Sequence, residues 1–74
     1  MIYTSENGNT DIKKEIKKIS IDTGISISEI CEKLEMLPQT YQNIFKKKNL
    51  SFNDISKILE ILGYELEIDF IPKV

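Results

Sequence analysis

A chain of 74 residues is long enough for one domain around one small core. Its composition, 41% hydrophobic and 30% charged, is that of a water-soluble globular protein, and no apolar run approaches membrane-spanning length. The net charge of −2 does not by itself favour a nucleic-acid partner, and the absence of histidine leaves little for acid–base catalysis.

In chain order, residues 1–10 are polar apart from Ile2 and Tyr3, with a turn signal at Asn7-Gly8-Asn9. We expect a flexible arm here; a strand over Met1 to Thr4 is a lesser possibility. A first helix is predicted from Asp11 to Asp22, capped by Thr10 and stopped by Gly24. Ile12, Ile16 and Ile19 form its core stripe, and Ile21 and Ile25 are expected to pack at the join. Lys13, Lys14, Lys17 and Lys18 lie on the flanks.

Ile27 to Phe45 carries two short helical patterns. Ile27, Ile30, Cys31 and Leu34 share one face, and Ser26 with Glu29 has capping-box spacing. Pro38 suits the first position of a second helix and pushes Leu37 out of helical geometry, so the chain must turn between Glu35 and Leu37. That second helix buries Tyr41, Ile44 and Phe45. A lysine-rich loop follows, Lys46-Lys47-Lys48-Asn49, whose crowded like charges suit an anionic partner. Leu50 tucks back into the core, and Ser51 caps a fourth helix with Asp54 at the reciprocal position. Its stripe is Ile55, Ile58, Leu59 and Leu62, and Gly63 ends it.

The period then changes. Tyr64, Leu66, Ile68 and Phe70 alternate with Glu65, Glu67 and Asp69 before Pro72, which predicts a half-buried strand over residues 64–71. One strand is not stable alone, so the simplest partner is the same strand of a second molecule in a two-fold homodimer. The alternative is a strand lying over its own helices with an acidic edge exposed.

Taken together, Ser28-Glu29-Ile30-Cys31-Glu32-Lys33-Leu34, Gln39-Thr40-Tyr41-Gln42-Asn43, Lys46 to Ser51 and Ile58 to Ile68 resemble the Cro/Xre-type helix-turn-helix family of phage and bacterial repressors. The resemblance runs from Gly24 to Phe70 without a gap. It departs from the family at the turn, where Glu35 replaces the usual glycine, and at Leu37 and Pro38, which replace a Thr or Ser cap and a Gln. It implies a mostly α, four-helix domain over residues 11–63, with the motif at 27–45 and a C-terminal strand that pairs across a dimer.

The resemblance also implies a function: sequence-specific binding of double-stranded DNA by a small dimeric regulator, most simply a repressor on a pseudo-palindromic operator. Gln39, Thr40 and Asn43 would contact bases in the major groove, and Gln42, Lys46, Lys47 and Lys48 would contact phosphates. Lys13, Lys14 and Lys17 are weaker phosphate candidates. With no arginine in the chain, base readout would rest on amides, hydroxyls and lysine. An alternative keeps the fold but not the DNA, as a protein-binding module such as a phage-encoded inhibitor or an antitoxin-like partner. Neither enzyme activity, cofactor, metal site nor small-molecule effector is expected, because no phosphate-cradling glycine loop or paired nucleophile and base occurs. Cys31, the only cysteine, fits a small core residue. The N-terminus has no signal-peptide pattern, so the expected compartment is the cytoplasm.

Overall fold

A computed structural model describes residues 1–46 and 50–73. Its architecture is mostly α, with four helices: α1 (Gly8–Thr23), α2 (Ile27–Lys33), α3 (Pro38–Lys46) and α4 (Phe52–Ile61). α1 packs on α3, and α2 packs on both α3 and α4. None of these helices is long and apolar enough to cross a membrane.

The core forms where the apolar stripes of all four helices meet. Ile16 of α1, Ile30 and Cys31 of α2, Tyr41, Ile44 and Phe45 of α3, and Ile55, Ile58 and Leu59 of α4 are buried together, with Leu62 just beyond. Ile12, Ile19, Ile25, Ile27, Leu34, Met36 and Leu50 pack around this centre. The rings of Tyr41 and Phe45, one helical turn apart, meet edge-on with centroids 5.1 Å apart.

Local chemistry accounts for the helix ends. Ser26 accepts from the Glu29 amide (3.1 Å) while the Glu29 carboxylate accepts from the Ser26 amide (3.4 Å), completing the capping box. Ser51 accepts from the Asn53 amide (3.2 Å), with Asp54 in the first turn of α4. α2 ends in a Schellman motif: the Glu35 amide donates to Glu32 and the Met36 amide to Cys31, with Glu35 at φ 54°. α4 ends the same way through Gly63, at φ 79°. The buried Ser20 hydroxyl donates to the Ile25 carbonyl and so ties the end of α1 to the connection that leads into α2.

Three expectations need correcting. α1 begins at Gly8, not Asp11, so Thr10 lies within the helix and is not its cap. Gly8 is buried beneath the Tyr3 ring, where a Cβ would collide with it, and the Tyr3 hydroxyl donates to Asn9 (2.7 Å). Residues preceding α1 therefore fold back over its start. Second, Ile21 is 69% exposed and does not pack at the join. Third, no strand forms among the described residues of the single chain. Residues 64–73 have no ladder partner, and a lone segment cannot satisfy a row of backbone groups as a strand.

Candidate functional site

α3 divides along its length into an inner and an outer face. Tyr41, Ile44 and Phe45 are buried, which turns Gln39, Thr40, Asn43 and Lys46 to solvent and leaves Gln42 half-buried at the border. The outer amides are not independent. Gln39 Nε2 donates to Asn43 Oδ1 at 3.1 Å, an i,i+4 bond along the surface. That bond leaves Gln39 Oε1 able to accept, and one Gln39 Nε2 proton and both Asn43 Nδ2 protons able to donate. Lys46 stands in the last turn of α3, where a cation also suits the helix dipole. Lys47 and Lys48 lie outside the described residues.

The half-buried border of α3 faces α1. Between them is a cleft of ≈ 360 Å³ bordered by Thr10, Lys13, Lys14, Lys17, Tyr41 and Gln42, with Ile27 on its apolar side. Thr10, Lys13, Lys14 and Lys17 fall three or four residues apart and so share one face of α1. Lys18, by contrast, is engaged by Glu15 at 3.4 Å. The fold thus brings the weaker lysine candidates beside Gln42, a grouping that the sequence left as two separate sets. It also adds Tyr41, which helical spacing marked only as core.

Tyr41 is 2% exposed. Among the described residues its hydroxyl has no hydrogen-bond partner, yet it is not sealed from solvent. Burial, with a smaller contribution from Cys31, pushes its pKa up from 10.0 to about 12. The hydroxyl therefore stays protonated, and able to donate, at neutral pH.

The C-terminal residues separate in a way that alternation alone did not anticipate. Leu66 packs on the core, whereas Tyr64, Ile68 and Phe70 are 46%, 50% and 91% exposed. Leu37, which opens α3, is also exposed. Among the described residues no three acidic or cysteine side chains gather as metal ligands, and Cys31 is a buried free thiol.

Comparison with protein families, curated proteins and solved structures finds no match.

Proposed function

We propose that the chain is a small DNA-binding regulator of the Cro/Xre helix-turn-helix type that presents the outer face of α3 to the major groove. The observation that carries this reading is the solvent-facing amide pair Gln39–Asn43, held outward by the buried underside Tyr41-Ile44-Phe45. An amide that offers one donor and one acceptor in a plane matches the major-groove edge of adenine. Thr40 beside it supplies a methyl or hydroxyl, and Lys46 lies near enough along the helix to meet a phosphate.

Two copies would read two half-sites, joined through a strand over residues 64–71. Tyr64, Ile68 and Phe70 would be covered by that pairing, having no cover in the single chain.

Exposed apolar residues at the C-terminal end, together with the net charge of −2, favour a second reading, a protein-binding module on the same scaffold. Fluorescence anisotropy with a labelled mixed-sequence duplex at rising salt separates the two. A regulator binds at low salt, loses affinity steeply as salt rises, and weakens when Lys46 becomes glutamate. Absence of binding at the lowest salt would remove the DNA reading. Footprinting on DNA beside the protein's own coding region then tests for a pseudo-palindrome.

A further inference from the structure

We propose that the cleft between α1 and α3 is a binding site for a phosphate group, held by Lys13, Lys14 and Lys17 with the Tyr41 hydroxyl and the Gln42 amide. This rests in part on the DNA reading, under which the phosphate belongs to the duplex backbone; a free phosphate ester would use the same chemistry.

Three observations converge on the cleft. Tyr41 is almost wholly buried, yet its hydroxyl has no partner among the described residues and keeps some contact with solvent. A hydroxyl that meets only solvent can exchange that water for a ligand oxygen without giving up a bond to the protein. Secondly, Lys13, Lys14 and Lys17 gather at one cleft, none has an ion-pair partner among the described residues, and no carboxylate lines the site. An anion seated among them would relieve their mutual repulsion. Thirdly, the polar groups converge from two helices. α1 supplies the cations and α3 the uncharged donors, Tyr41 and Gln42.

A phosphate monoester brings three non-bridging oxygens to share among three ammonium groups and a hydroxyl, whereas a DNA phosphodiester and a carboxylate each bring two. The apolar side formed by Ile27 would lie against whatever carries the phosphate, a deoxyribose in the case of DNA. Gln42 ties the site to the proposed reading face, because it neighbours Asn43 on α3.

Amide-resolved NMR titrations test this at constant ionic strength, with chloride as the reference salt. The probes are inorganic phosphate and a short mixed-sequence duplex. The proteins are the natural chain, Tyr41→Phe, and a double variant with Lys13→Gln and Lys17→Gln. Phosphate is expected to shift the amides of Lys13, Lys17 and Gln42, with affinity falling roughly tenfold in Tyr41→Phe and lost in the surface double variant. If the duplex moves the same amides, and each lysine change lowers the salt slope by about one, the phosphate is that of DNA. If phosphate moves them and the duplex does not bind, the site stands for a free phosphate ester while the DNA reading falls. If the duplex binds without moving them and phosphate does nothing, the site is overturned and the DNA reading survives. Unchanged phosphate binding in the double variant overturns the site as well.

Discussion

Glu35 ends α2 in the conformation that Gly63 uses to end α4. Both have left-handed backbone, at φ 54° and 79°, and both are followed by an amide, Met36 or Tyr64, that reaches back 2.9 Å to the carbonyl five residues earlier. Glycine adopts this region without strain, whereas a residue with a Cβ does so at a cost of about 1–2 kcal/mol. Glu35→Gly should therefore stabilise the fold by roughly 0.5–1 kcal/mol, after allowing for glycine's greater freedom in the unfolded chain. Glu35→Val should destabilise it, since a β-branched residue is poorly tolerated there. Denaturant midpoints at constant slope measure both.

Leu37 occupies the cap position of α3, because its carbonyl accepts from the Tyr41 amide (3.1 Å). Its side chain is 72% exposed and has no oxygen to offer the free amides of the first turn. Leu37→Asp or Leu37→Ser should stabilise the protein by about 1 kcal/mol, through the capping bond and, for Asp, the helix dipole. Equal or lower thermal stability in both variants would count against this position as a cap.

Tyr41 should make the fold sensitive to alkali. Its pKa is raised to about 12 from 10.0, so the folded state holds the phenolic proton more tightly than the unfolded one does. The associated stability is fully present below pH 10 and is lost as pH rises from 10 through about 12. The total is on the order of 2 kcal/mol. Guanidinium unfolding across this range should show a steeper decline for the natural chain than for Tyr41→Phe. The comparison cancels the titration of lysines common to both.

If the chain binds DNA as proposed, the Gln39–Asn43 bond predicts coupled effects there. Each alanine substitution should cost about 1–3 kcal/mol on a preferred site and little on random sequence. The double variant should lose less than the sum, because either single change leaves the other amide without its brace. Strict additivity in anisotropy measurements would mean that the two side chains act separately.

Charge limits how residues 64–71 can pair with a second copy. An antiparallel register centred on Glu67 sets Glu67 against its own copy and Glu65 against Asp69, all on one face. Like charges directly opposite destabilise a ribbon. Under the proposed pairing, association should therefore tighten with salt, and Glu67→Gln should tighten it further at low salt. Sedimentation equilibrium that shows weaker association at high salt would exclude this pairing.

Much of the helical framework was legible because its signals are local. Ser26 with Glu29, Ser51, Pro38, Gly24 and Gly63 all act within a turn or two of themselves, and they stand at the helix ends observed. Glu35, which the sequence marked only as standing where the family it resembles usually has glycine, takes left-handed backbone all the same. What escaped depends on residues far apart in sequence or on a second chain. The start of α1 moves to Gly8 because Tyr3 lies over it, which no periodicity encodes. A ladder for residues 64–71 needs a partner. The outward placement of Gln39, Thr40 and Asn43 follows from the apolar spacing of their neighbours, but the meeting of Lys13, Lys14 and Lys17 with Gln42 depends on how α1 lies on α3.

A helix as short as α2, 7 residues, is not stable by itself in water. It persists because α3 and α4 both pack against it, so loosening either one withdraws the support on which the other depends. Melting should then be a single cooperative event with no half-folded species, and the slowest-exchanging backbone amides of α3 and α4 should report the same opening free energy.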